Sequence, residues 1–341
     1  MDFDNGKNEI GNGLKVINPV IDLDNIKSKY ILIKILDNLP KNISLSIVKY
    51  SKKTQKRLNI NINSYKDYVE HTPIEIEIIP LKNKCGSFIY KLKKQEEKYY
   101  HIFFNEKKEE IKRNCLFEDD KVEKIKLLID YKITSFQNLF FSCKCIESIN
   151  FKKFYRNNIT NMSYMFCGCS SLKEINFSNI KTDNVINMSG MFSGCSSLKE
   201  LNLSNINTIN VKYIGYMFFK CSSLKEIDVS NFDTNNVIDM NYMFSGCTSL
   251  EELNLSNFNT INVGDMNNMF SGCSSLKKLD ISNFNVNKVT NMSYMFSGCS
   301  SLEEININNF NTINVTNTEG MFYGCKYKLK KNIFQYIKKN D

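Results

Sequence analysis

Eight cysteines fall 26 residues apart without a slip: Cys143, Cys169, Cys195, Cys221, Cys247, Cys273, Cys299 and Cys325. Phe140, Phe166, Phe192, Phe218, Phe244, Phe270, Phe296 and Phe322 keep the same step. So do the methionines from Met165 to Met321, with Leu139 in the first turn. A period this strict requires each unit to stack on its neighbour in the same way.

One unit divides into two halves. The segment from Leu198, LKELNLSNI, places apolar residues at its first, fourth, sixth and ninth positions. That matches the core of a leucine-rich repeat, whose alternating L-x-L step suits a half-buried strand. Leu201 and Leu203 are expected to point inward, and Glu200, Asn202 and Ser204 outward. An asparagine follows in each unit (Asn179, Asn205, Asn231, Asn257, Asn283, Asn309), where the chain turns and backbone groups need partners. The other half, VTNMSYMFSGCSSL, has Val289, Met292, Met295, Phe296 and Cys299 at steps of 3, 3, 1 and 3, which draws one apolar helical face. Thr290 or Asn291 would cap this helix and Gly298 would end it in a left-handed conformation. The expected fold is an α/β solenoid. It is a leucine-rich-repeat array of 26-residue units with parallel strands on the concave side, preceded by a small β-rich or α+β N-terminal domain.

The runs NMSYMFSGCSSLKE and NLSNFNT, nearly verbatim at 161–174, 187–200 and 291–304, resemble the BspA-like leucine-rich repeats. Repeats of that kind occur in bacterial, mycoplasma and protist surface proteins. The resemblance covers about the last 200 residues. It implies a leucine-rich-repeat fold and a role in adhesion or protein–protein contact, and names no catalytic residue.

The cysteine column reads as structure rather than chemistry. Units one strand spacing apart place the thiols roughly 5 Å from one another, all pointing inward, which suits packed thiols better than disulfides. A zinc site at Cys143, Cys145, Cys167 and Cys169 fails on register, because Cys145 and Cys167 leave the column in opposite directions. No metal and no cofactor is expected.

The formal charge of +9 is uneven. Residues 1–130 hold 25 basic and 20 acidic residues (net +5), whereas residues 160–325 hold 9 and 14 (net −5). Nucleic-acid binders put a basic stripe on their main surface; the array is acidic, so no nucleic-acid partner is expected. The outward strand columns are Glu174, Glu200, Glu226, Glu252, Lys278 and Glu304; Asn176, Asn202, Asp228, Asn254, Asp280 and Asn306; and Ser178, Ser204, Ser230, Ser256 and Ser282. They form the candidate partner-binding surface, since repeat arrays usually bind on the strand face.

The domain boundaries expected from composition are a β-rich N-terminal domain at 1–125, a cap and degenerate first repeat at 126–160, the array at 161–325 and a helical cap at 326–341. The cap carries Leu329, Ile333 and Ile337 at four-residue spacing. Before residue 125, YILIKIL, ISLSIVKY, LNININ, IEIEIIP, GSFIYKL and KYYHIFF read as strands. His71 and His101 stand apart in the sequence, Glu75 and Glu77 alternate with isoleucines, and no phosphate loop or nucleotide fingerprint occurs, so an enzyme is not expected. No run of 18 apolar residues occurs and the first residues are acidic and polar, which predicts no stable membrane insertion and a cytoplasmic protein. The expected function is a protein-interaction module or scaffold with a protein partner. The alternative that the resemblance implies is a cell-surface adhesin; an enzyme in the N-terminal domain stands third.

Overall fold

The computed structural model describes residues 26–37, 48, 51–60, 72–307 and 310–326. The chain divides into two compact units, Met1–Tyr68 and Val69–Asp341.

In the first unit, α1 (Lys29–Asp37) and α2 (Lys52–Leu58) are helices. The run YILIKIL, expected as a strand, is α1. Its buried residues are Leu32 and Leu36, four apart, which pack with Val48, while Tyr30, Ile31 and Ile33 are exposed. So short an apolar run fits either period, and the face that finds a partner decides. α2 starts on Ser51, whose Oγ accepts the Thr54 N–H at 3.0 Å, and ends on left-handed Asn59. LNININ, also expected as a strand, begins with the last residue of α2, Leu58. Its last three residues, His71, ISLSIVKY apart from Val48, and the expected cap helix with Leu329, Ile333 and Ile337 lie outside the described residues.

The second unit opens with the strands β1 (Ile74–Pro80), β2 (Gly86–Ser87), β3 (Tyr100–Phe104), β4 (Cys115–Leu116), β5 (Ile125–Ile129), β6 (Ile146–Lys153) and β7 (Glu174–Asn176). One sheet has the order β3-β5-β1-β6-β7, antiparallel except for the parallel β6–β7 pair. IEIEIIP forms β1 because its alternation buries Ile74, Ile76 and Ile78 on one face. On the other face Glu75 meets Lys153 at 2.6 Å and Glu77 meets Lys124 at 3.2 Å. Arg156, just beyond β6, is 1% exposed and donates from Nη2 to the Ile129 carbonyl at 3.4 Å. Burial lowers its pKa to about 10, against the opposing pull of Asp130 and Tyr100.

From here the 26-residue units follow one another in register, but they do not build the expected α/β leucine-rich-repeat solenoid. The repeat half read as a helix contains none. In residues 161–169 the N–H groups of Met162, Tyr164, Phe166 and Gly168 donate to carbonyls of the next unit, at Asn187, Ser189, Met191 and Ser193 (2.7–2.9 Å). Between them, Met165, Cys167 and Cys169 donate three residues back, to Met162, Tyr164 and Phe166 (3.1–3.3 Å). An α-helix needs every N–H bonded four residues back; here alternate N–H groups leave the unit. Tyr164 (φ 55°) and Gly168 (φ 74°) are left-handed, which breaks any helix within four residues. The segment is therefore a run of tight turns. Steps of 3, 3, 1 and 3 are met by such turns as well as by a helix, which is why the pattern misled.

The parallel strand array expected on a concave side does not form either. Beyond β7, the named strands among the described residues are β8 (Lys278–Asp280) and β9 (Glu304–Asn306), paired parallel. Residues 200–202, 226–228 and 252–254 form no strand. What joins unit to unit throughout is the turn edge, where parallel bridges run Ser135, Asn161, Asn187, Tyr213, Asp239, Asp265, Asn291 and Asn317.

The core holds the columns that the period marks. The eight phenylalanine rings stack in sequence at centroid separations of 5.3–5.9 Å. Among the described residues the cysteines are thiols rather than disulfides. Cys169, Cys195, Cys221, Cys247, Cys273, Cys299 and Cys325 each donate from Sγ to the phenylalanine carbonyl of the preceding unit, at 2.9–3.2 Å. Burial pushes the thiols of Cys169, Cys247 and Cys299 up to about 12, so the donors stay protonated.

Candidate interaction face

The segment expected to form the strand face keeps its burial pattern even where no strand forms. Leu201, Leu203, Ile227, Val229, Leu253 and Leu255 are buried. The residues between them point outward. Of the seventeen face residues expected from sequence, all are exposed except Ser282 and Asn306, which are half-buried. The structure thus brings the three columns onto one surface.

The columns differ in what their side chains do. In the second, the side-chain Oδ1 atoms of Asn176, Asn202, Asp228, Asn254 and Asp280 accept the N–H of Ser178, Ser204, Ser230, Ser256 and Ser282, at 2.9–3.0 Å. These are local turn-closing bonds, in which an Asx side chain replaces the backbone acceptor. Hydrogen bonds from the Ser230 side chain and then its backbone hold the Asp228 carboxyl below the usual range. The Ser282 backbone and then its side chain do the same for Asp280. That column is largely occupied with holding its own turn.

The first column is different. Lys278 pairs with Glu304 at 2.9 Å, but among the described residues Glu174, Glu200, Glu226 and Glu252 have no ion-pair partner. They repeat one unit apart on an acidic array. Two recesses open on this face. One of about 270 Å³ is lined by Glu174, Asn176, Ser178 and Glu200 among others. Another of about 560 Å³ is lined by Glu252, Asn254, Lys278 and Asp280 among others.

The asparagines after the face form a second ladder. Asn257 donates from Nδ2 to the carbonyls of Val229, Ser230 and Phe232, at 2.9–3.1 Å, and Asn231 and Asn283 reach back in the same way. The structural role expected for these asparagines is seen at Asn179, Asn231, Asn257 and Asn283, which bond carbonyls of the preceding unit. Asn309 lies outside the described residues.

Sequence reasoning missed three features. Thr182, Thr208, Thr234 and Thr260 are buried and donate to the next unit's Asn207, Asp233, Asn259 and Asn285 carbonyls at 2.8–2.9 Å. Their own 26-residue spacing was the available signal. Arg156 carries no repeat signal at all. The turn edge also bears an aromatic cluster. Tyr216 stacks on Tyr242 at 4.6 Å, and Phe219 sits edge-on to both. His101, read as isolated, places Nδ1 2.9 Å from Glu110 Oε1.

A repeating stack with one polar, acidic face and an internal ladder of thiols and amides defines a repeat protein. The family model described as "Mycoplasma protein of unknown function, DUF285" matches residues 134–253 and 245–340. The chain belongs to that family, and the match falls on the repeats. The match supports the expected repeat family in this coarser form, and does not itself reach the BspA-like leucine-rich repeats that the motifs resemble. No curated protein and no solved structure matches the chain. No helix among the described residues is long and apolar enough to cross a membrane.

Proposed function

We propose that the chain is a protein-interaction module that presents the face of Glu174, Glu200, Glu226 and Glu252 to a basic protein partner. The observation that carries this is the column of four carboxylates without ion pairs among the described residues, repeated at one-unit spacing beside two recesses. Carboxylates left unpaired on an acidic surface favour a basic partner, attract it from a distance and lose that attraction in salt. The module is non-enzymatic and takes no cofactor, metal or nucleic acid. The Asx column fixes the backbone beneath the face, so the surface is organised before a partner arrives.

The test is affinity capture with the whole chain, followed by the triple change Glu200→Lys, Glu226→Lys and Glu252→Lys. Each is an exposed surface substitution, so stability should move by no more than about 0.5 kcal/mol per site. Capture of the basic partner should fall, and the remainder should lose its salt dependence. Unchanged capture by the variant removes the face from consideration.

The placement that accompanies this proposal is the cytoplasm, where exposed thiols such as Cys85 remain reduced. A second reading, a cell-surface recognition protein, is supported by the likeness of NMSYMFSGCSSLKE to surface-protein repeats. Labelling of intact cells with an impermeant reagent separates the two, because a labelled chain excludes the cytoplasm.

A further inference from the structure

One rung of the asparagine ladder is open. Asn231 donates from Nδ2 to the Leu203 and Ile206 carbonyls of the preceding unit, at 3.0 and 2.8 Å. Asn257 does the same to Val229 and Phe232, at 3.1 and 2.9 Å. Asn205 holds the same place one unit before Asn231. Among the described residues its side chain makes no hydrogen bond, and the Ile180 carbonyl, which matches Ile206 and Phe232, receives none. Asn205 is exposed, so its amide is left with its donors and its acceptor unspent.

Two recesses adjoin at this residue. The one of about 270 Å³ carries Glu174 and Glu200, and a neighbour of about 300 Å³ carries Tyr155, Lys181 and Asp183. Ser178 and Asn205 line both, so the recesses meet along them. Together they hold three acids against one base. Asp183 already accepts the Asn207 amide at 2.8 Å, whereas Glu174 and Glu200 have no ion-pair partner among the described residues. Unpaired carboxylates call for a cationic side chain. Tyr155, 50% exposed, offers a ring to the stem or the charge of a lysine or arginine. A free carboxamide presents an N–H and a C=O side by side, the complement of a peptide group.

We propose that Asn205 grips the main chain of an extended basic segment of the protein partner, laid across both recesses. Its Nδ2 donates to a peptide carbonyl of that segment and its Oδ1 accepts a peptide N–H. A lysine or arginine of the segment reaches Glu174 and Glu200, and another lies against Tyr155. Successive side chains of an extended chain point to opposite sides, so basic residues at every second position fit best. This docking rests on the reading of the chain as a module for a basic protein, and adds where on the face the partner is held and in what conformation.

The test titrates the whole chain, followed by NMR, with an end-blocked hexapeptide of alternating arginine and serine. A second peptide is N-methylated along its length, which keeps the charge and removes the N–H groups. The first peptide should shift the side-chain amide resonances of Asn205. Asn205→Ala and N-methylation should each weaken binding about tenfold. Asn205→Ala should leave the urea midpoint in place, since it removes no bond of the free protein. Asn257→Ala should do the reverse, lowering the midpoint and changing binding by no more than about twofold. Binding that falls with Glu200→Lys but not with Asn205→Ala overturns the main-chain grip and leaves the acidic face standing. A midpoint lowered as far by Asn205→Ala as by Asn257→Ala returns Asn205 to the ladder and also overturns it. No binding at millimolar peptide overturns the docking site, while affinity capture with the triple lysine variant decides the face separately.

Discussion

Ile76 and Leu201 stand in the same kind of sequence, with apolar residues alternating with acids and amides, and both side chains are buried. Only Ile76 lies in a strand. β1 has antiparallel neighbours on both sides, β5 and β6, and its peptide groups pair with them. Leu201 has neighbours one unit away on both sides and pairs with neither as a strand. The spacing of the stack is set elsewhere, by the turn edge and by rings at 5.3–5.9 Å. Alternation therefore decides which side chains are buried; it does not decide whether the backbone pairs.

The sheet and the stack should consequently fail in different ways, and alkali should separate them most. The stack's thiols are held neutral by burial, with Cys169, Cys247 and Cys299 pushed up to about 12 from an ordinary 9.0. Folded values raised above unfolded ones mean that stability is whole below pH 9 and declines as pH rises from 9 through 12. The slope is about 1.4 kcal/mol per pH unit for each thiol. Several thiols titrating together outweigh any single substitution. Urea midpoints should drop across this window, with amides of the turn edge exchanging before those of β1 and β5. Simultaneous loss of both sets would mean that the sheet and the stack unfold as one block.

Cavity substitutions come next. Phe244→Ala removes a fully buried ring from the middle of the stack and should cost about 3–5 kcal/mol, and Ile76→Ala in the sheet about 2–5 kcal/mol. Hydrogen exchange sharpens the comparison. The first variant should open the turn amides of neighbouring units and spare β1, and the second should do the reverse. The smallest effect distinguishes the two amide columns. Asn257→Ala leaves three carbonyls of the preceding unit without their donor and should cost about 1–3 kcal/mol. Asn254→Ala removes one exposed local bond and should cost about 1 kcal/mol or less. Equal losses in chemical denaturation would erase the distinction between a column that joins units and one that only closes its own turn.

Much of the stack was legible because a column seen eight times averages out local ambiguity. Burial of the Met, Phe and Cys positions, the exposure of Glu200, Asn202 and Ser204, and the inter-unit role of Asn231 all follow from the register. The helix was misread because the spacing of buried residues is blind to where N–H groups point. The strand reading of YILIKIL failed for a related reason, since seven residues cannot distinguish two periods. Arg156 occurs once, and no repetition pointed to it. The acidic face was legible in composition, but the division of labour between its columns was not, because Asn202 and Glu200 look equally polar until the Ser204 N–H is placed.

The sequence alone determined the register. A 26-residue period fixes which residues stack on which, and apolar positions in a stacked unit must face the core to leave water. Tertiary structure decided the backbone. The carbonyl that takes the Phe166 N–H belongs to Met191, in the next unit, and the one that takes the Cys169 thiol belongs to Phe140, in the unit before. Those partners exist only once neighbouring units are in place. Hydrogen bonds are directional and must be satisfied wherever water is excluded, so the packed neighbour turned a helical pattern into turns and left a strand-like pattern largely unpaired.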